Sequence, residues 1–268
     1  MEPMKLFKST LASLAIAGAM TTGALAAGGG NVKHADIDFS FEGPLGAYDR
    51  GALQRGLQVY QNSCSGCHGM KFVAFRSLSE ENGPGMSADQ VKAFIAEFGY
   101  EVEDENGELV PAKPWDYFPA VTGLGAPDMS LLAKARPNGP THIYSILTGF
   151  ADPPECAPED FDGNYNTAFG SGGIPDECKD EEGNSTVVGS WIGMGQPLYG
   201  DDVEYADGRE ATLENEAADV AQFLMWAAEP TLIERKQAGV RNILFLIIFA
   251  VLLFLVKQRI WGRLKHPE

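Results

Sequence analysis

Cys64-Ser65-Gly66-Cys67-His68 is the segment that most constrains what this chain can fold into. Two thiols at Cys-x-x-Cys spacing followed by an imidazole can attach a haem through its vinyl groups and offer a nitrogen to its iron, so the chain must fold around a flat ring here. The same residues could form a redox dithiol or half of a zinc site. The first requires a thioredoxin-like βαβ context and the second another ligand pair. The remaining cysteines, Cys156 and Cys178, are widely separated and lack that spacing. The segment therefore reads as the attachment site of one covalently bound haem c, with Cys64 and Cys67 as anchors and His68 as the proximal ligand.

The two ends of the sequence give an address. Lys5 and Lys8, an apolar run from Leu11 to Met20 and then Ala24-Leu25-Ala26 form the three zones of a secretory signal, so residues 1–26 are expected to be removed. Near the other end, Ile243 to Val256 is uncharged and hydrophobic on every helical face. This run alone is short for a bilayer, but a helix over 239–261 extends about 34 Å, and Arg241 and Lys257 can reach the two interfaces. Lys257, Arg259, Arg263 and Lys265 follow, which by the positive-inside rule puts the tail 262–268 in the cytoplasm. Residues 27–238 are then a periplasmic domain carried on the inner membrane of a bacterium, an oxidising compartment that tolerates a disulfide.

Charge narrows the partners. The chain carries a net −17, and the stretch from Ala27 to Gly239 holds 13 basic against 35 acidic side chains, a net −22. Nucleic acid is excluded as a partner on this balance, whereas a basic protein would be drawn in and its encounter accelerated.

Helical spacing marks the framework of the domain. Asp49 is a candidate N-cap for a helix carrying Leu53, Leu57 and Tyr60 into the haem motif, and Thr212 for one whose stripe runs Leu213, Ala217, Val220, Leu224, Ala228. Glu214 and Glu216 fall in the first turn of the latter, where acids complement the helix dipole. Gly56 interrupts good helix propensity in the former, as expected where a second helix crosses closely, and the Leu213 helix is the expected partner. Further helices are expected over 87–98, and over 130–135 continuing after a break as 141–147. Tyr100 to Trp115, with Asn106-Gly107 as a hairpin or turn signal, and Pro153 to Ser185 read as surface excursions. The fold class is mainly α: one haem domain with excursions and a single C-terminal transmembrane helix.

The opposite face of the iron decides function, because a filled coordination sphere carries electrons while an open one binds oxygen or peroxide. Met70 is too near His68 to reach round the ring. Met86, Met129, Met194 and Met225 remain, with His142 and, less easily, His34 as rivals. Met225 sits beside Trp226 in a helix and reads as a packing residue. Met194 has glycine on both sides in a loop, an arrangement that lets backbone and thioether approach a ring. A peroxidase or gas sensor with an open position, or another anchored cytochrome such as an oxidase subunit, stays open at this level.

Beyond these local patterns, Arg55-Gly56-Leu57-Gln58-Val59-Tyr60 leading into the haem motif resembles the attachment segment of the cytochrome c1 family. Trp115 to Pro119, Pro127 to Arg136, Ser145 to Phe150, Ile192-Gly193-Met194 and Trp226 to Pro230 are similar to that family's later blocks, in the same order. The resemblance implies a cytochrome c-like domain in which Cys64 and Cys67 hold the haem, His68 and Met194 ligate iron, Arg136 meets a haem propionate and the Pro127 carbonyl orients His68. It also implies an electron carrier in the dimeric cytochrome bc1 complex, beside cytochrome b, between the Rieske iron–sulfur protein and a basic cytochrome c, with no substrate chemistry on this chain. The excursion containing Cys156 and Cys178 departs from many relatives, and a disulfide between them is expected there.

Overall fold

Helix α1, Arg50–Val59, begins where the Asp49 carboxylate accepts hydrogen bonds from the amides of Gly51 and Ala52, at 2.8 and 3.3 Å in this computed structural model. The structure describes residues 31–265; the expected signal segment and the last residues of the tail lie outside them. After Val59 the helix widens into one π turn, Tyr60–Cys64, a rare geometry that concentrates at functional sites. It delivers the haem motif to the end of a buried helix.

Four more helices complete the domain. Ser87 and Gln90 form a reciprocal capping box at the start of α2, Ala88–Glu97. The segments α3, Leu132–Ala135, and α4, Gly139–Thr148, are separated by a turn in which Asn138 adopts φ 63°. Thr212 caps α5, Leu213–Ala228, whose Ala217, Val220, Ala221, Phe223, Leu224 and Trp226 are buried. Helix α5 packs against α1, α3 and α4.

The close crossing expected at Gly56 is present. A Cβ placed there would lie 2.1 Å from the carbonyl oxygen of Asp219 and 2.7 Å from Cβ of Phe223, both on α5. Around the crossing, Tyr60, Phe75, Phe94, Tyr100, Phe118 and Phe223 form a continuous aromatic core, with ring centroids as close as 4.4 Å for Phe75 and Phe118. Tyr100 opens the hairpin β1, Glu101–Glu103, and β2, Leu109–Pro111, whose register pairs Val102 with Val110 across the Asn106-Gly107 turn. That excursion is thereby rooted in the core.

The second excursion has a small core of its own. Strands β3, Asn164–Asn166, and β4, Ser190–Ile192, pair antiparallel with Tyr165 opposite Trp191. Cys156 and Cys178 are joined by a disulfide in the same structure, and Tyr165, Cys178 and Trp191 form a buried cluster separate from the main one. The chain N-terminal to α1 straps this unit down. Asn31 accepts from the Gly189 amide (2.7 Å), Lys33 donates to Thr167 (2.9 Å) and Ala35 donates to Ser145 Oγ on α4 (2.9 Å).

The final helix, α6, Leu232–Lys265, starts before Gly239, where the sequence pattern alone placed the anchor. Leu232 and Ile233 are buried in the domain, so its first turn is core rather than membrane. Lys236 then donates to the carbonyls of Phe41, Gly43 and Gly46, and Glu229 pairs with Lys134 (3.0 Å) and Arg235 (2.5 Å). Beyond these contacts the helix is exposed along an apolar stretch of mean hydropathy 2.6, long enough to cross a bilayer.

Replacing Gly56 with alanine forces α1 and α5 apart at a backbone contact that cannot yield. The expected loss is roughly 2–3 kcal/mol, the range of core overpacking, seen as a lower midpoint in denaturant unfolding of the haem-loaded protein.

Candidate haem site

The attachment motif forms a tight turn: the amides of Cys67 and His68 both donate to the carbonyl of Cys64, at 3.1 and 2.9 Å. Tyr60, in the π turn, donates its hydroxyl to the carbonyl of His68 at 2.8 Å. The imidazole is therefore held from its own backbone. Cys64 and Cys67 are free thiols, the first buried and the second exposed. Burial pushes the Cys64 thiol up to about 12, the opposite of the lowered value that a reactive dithiol or thiolate ligand requires.

His68 is buried, and its Nδ1–H donates to the carbonyl oxygen of Pro127 at 2.8 Å. A carbonyl can only accept, so this contact fixes the tautomer and leaves the Nε2 lone pair available to iron. The placement of Pro127 has its own cause. Asp128 accepts from the Lys71 amide through Oδ2 and from the Ser130 amide through Oδ1, both at 3.0 Å, while Ser130 Oγ accepts from the Phe72 amide and the Met129 amide donates to Gly69. These bonds lace 127–130 to 69–72. Burial works to raise the Asp128 pKa, but the hydrogen bonds from Ser130 and Lys71 outweigh it and hold the carboxyl below its usual range.

Asp128 and Tyr60 were not singled out in the sequence. A Pro-Asp pair followed by serine is an Asx-turn signal that could have flagged the first, whereas nothing local marks Tyr60 as anything but an apolar stripe member.

The described methionines separate by environment. Met70 and Met129 are buried in the main core, and Met86 and Met225 pack against it. Met194 stands outside that core, half-buried just after β4, with its carbonyl accepting from Asn164 Nδ2 at 3.2 Å. Neither Gly193 nor Gly195 has a left-handed φ, and a Cβ at either would meet nothing within 4 Å. Packing within the protein does not require glycine there, while a ring lying against the loop would. The donor set of two free thiols, one oriented imidazole and one thioether outside the core thus fits a covalent haem c.

The remaining candidates are Arg136, His34 and His142. Arg136, following α3, is exposed and makes no ion pair among the described residues, so its guanidinium is available to a carboxylate. The rings of His34 and His142 face each other at 5.9 Å. Burial first, then the charges of His34 and Arg136, lower the pKa of His142. Glu216 lies in the first turn of α5 as expected, and it is also fully buried and accepts from the amides of Asp202 and Val203.

Residues 39–264 match the cytochrome c1 family. Over 98% of both chains the sequence is 47% identical to cytochrome c1 of Cereibacter sphaeroides. It is 32% identical to mitochondrial cytochrome c1 of Kluyveromyces lactis over 94% of this chain and 84% of that one. A cytochrome b/c1 of Bradyrhizobium diazoefficiens is 37% identical over 96% of this chain, which spans 40% of that longer protein.

The Cys156–Cys178 bond closes a loop over a separation of 22 residues. Reduction should add the mass of two hydrogens to the intact protein, and serine at both positions should cost about 3 kcal/mol in denaturant unfolding.

Proposed function

The chain belongs to the cytochrome c1 family, carries a covalent c-type haem and serves electron transfer in the cytochrome bc1 complex, and from that premise we propose how its own residues do so. Single electrons arrive from the Rieske iron–sulfur protein and leave to a basic c-type cytochrome. When bound, the haem iron supplies the one-electron chemistry. Cys64 and Cys67 would hold the ring covalently, and His68, its tautomer set by Pro127, and Met194 would supply the imidazole and thioether ligands to iron. Arg136 neutralises a propionate. A thioether and an imidazole together would raise the potential, suiting an acceptor downstream of a quinol, and with both supplied no position would be left for oxygen or peroxide.

The observation that carries this reading is the hydrogen bond from His68 Nδ1 to Pro127, which leaves one imidazole nitrogen for a metal inside a Cys-x-x-Cys turn. Location follows from charge and hydropathy. The helix α6 anchors the domain, its basic tail stays in the cytoplasm, and the haem domain faces the periplasm beside cytochrome b in a dimeric complex. The acidic surface of the exported domain attracts the basic acceptor.

Met194→Ala should abolish the near-infrared methionine–iron absorption of the oxidised protein, lower the midpoint potential and open the reduced haem to prompt carbon monoxide binding. Prompt binding by the unaltered protein at neutral pH would instead favour an enzyme or sensor with an open position. Raising ionic strength from low to physiological should slow electron transfer to a basic cytochrome by roughly tenfold. Purification from membranes without cytochrome b and an iron–sulfur protein would contradict the complex.

A further inference from the structure

Between Phe118 and Ser130 the backbone leaves the segment that follows the haem motif and then returns to it. On the way out, the Phe118 amide donates to the Val73 carbonyl at 3.0 Å, and the chain passes directly over Gly69, the residue after His68. A Cβ at Gly69 would lie 2.4 Å from the carbonyl oxygen of Pro119 and 2.7 Å from the Val121 nitrogen, an approach that no side chain permits. On the way back, the Pro127 carbonyl accepts from His68 Nδ1 and the Met129 amide donates to the Gly69 carbonyl, both at 2.8 Å. Gly123 (φ 91°) and Gly125 (φ 69°) make the bend between these two sets of contacts. The excursion is a closed brace with both ends on the residues around His68.

Side chains, more than packing, set the point of return. Pro127 itself is exposed, so the core does not fix its carbonyl. Asp128 does so instead, accepting from the Lys71 amide through Oδ2 and from the Ser130 amide through Oδ1, both at 3.0 Å. Ser130, fully buried, accepts from the Phe72 amide at 3.0 Å. Because Lys71 and Phe72 follow the attachment turn within four residues of His68, these bonds place residue 128, and with it the carbonyl one residue earlier, relative to the imidazole. A carbonyl that accepts from Nδ1 increases the donor strength of Nε2, so the length of that one hydrogen bond enters the potential of an iron held on Nε2.

We propose that Asp128 is a positioning residue for the proximal ligand: by closing the 118–130 brace onto Lys71 and Ser130 it holds the Pro127 carbonyl to His68, and so keeps the haem potential below the value that an unrestrained imidazole would give. The proposal rests on the reading that His68 ligates iron. With the clasp intact the Nδ1 proton is shared with the carbonyl, the imidazole is the stronger donor and the ferric state is favoured. With the clasp open that bond lengthens, donation falls and the ferrous state gains. Asp128 also carries a negative charge, whose loss raises the potential by Coulomb's law alone, so position and charge are separated by the choice of substitution. Glutamate keeps the charge but sets the carboxylate one methylene further out, past the turn in which Asp128 reaches the amide two residues on. Ser130→Ala changes no charge and leaves the Phe72 amide without its acceptor.

The test uses the haem-loaded, full-length protein and two readouts: the midpoint potential, and the rate at which the His68 Nδ1 proton exchanges with solvent in the reduced form, followed by NMR on protein with isotope-labelled histidine. Asp128→Glu and Ser130→Ala should each raise the midpoint potential and speed the exchange by about tenfold, the factor that goes with roughly one hydrogen bond lost. Asp128→Asn should shift both readouts in the same direction. A potential that rises in Asp128→Asn but stays at the unaltered value in Asp128→Glu and Ser130→Ala would show charge alone at work and overturn the proposal. Exchange rates that match the unaltered protein in all three variants would overturn it as well. If the electron paramagnetic resonance of the unaltered oxidised protein shows no imidazole on iron, the ligand reading falls and the effect on potential with it, while the exchange rates still decide whether Asp128 holds Pro127 to His68.

Discussion

The backbone contact between α1 and α5 at Gly56 is the constraint on which the rest of this structure depends. Helix α1 ends in the haem attachment turn, and α5 touches α1, α3 and α4 before leading into the anchor. Since the crossing brings Gly56 against the Asp219 carbonyl, the two helices have no freedom to slide by a side-chain rearrangement, only by opening the core. The position of Cys64, Cys67 and His68 is thus inherited from a helix pair rather than from a loop. Loop-borne sites gain precision when their supports are of this kind.

Helix α5 also distributes three buried carboxyl groups, and each ties down a different part of the molecule. Asp219 holds Arg55 of the haem helix, Glu216 holds the turn after Met194, and Glu229 at the C-terminal end holds Lys134 beside α3 and Arg235 at the root of the anchor. The one buried ion pair among these contacts, Arg55 with Asp219, adds little net stability because desolvation offsets the attraction, so its value lies in register. An apolar core alone would leave the attachment turn and the segment after Met194 free to choose among similar packings. The carboxyl groups select one.

Much of this framework was legible in the sequence because it depends on local periodicity. The caps at Asp49 and Thr212, the stripe of α5 and the role of Gly56 all follow from spacing within one or two turns. What escaped was long-range. The Asp128 clasp that presents Pro127 to His68 joins segments more than fifty residues apart, and nothing in either segment names the other. Glu216 occupies a position where an acid is ordinarily solvated, so its burial becomes visible only when the 199–203 turn is seen folded onto it. Likewise the Pro153 to Ser185 stretch, rich in turn formers, gains its own core only through Trp191, which lies beyond it in sequence.

The junction with the anchor shows how one helix can serve two solvents. Its first residues, Leu232 and Ile233, are packed as protein core, and only after Arg235 and Lys236 have been paired does the apolar, fully exposed stretch begin. A flexible linker would let the haem domain swing on its tether over a range set by linker length. Here Lys236 instead gathers the carbonyls of Phe41, Gly43 and Gly46 from the chain before α1, and Glu234 receives the side-chain amide of Asn82 at 3.2 Å. Contacts from three separate segments around the first turns make the helix a rigid extension of α5's end of the domain. The height of the attachment turn above the bilayer is then a property of the fold, set by the same helix pair that crosses at Gly56.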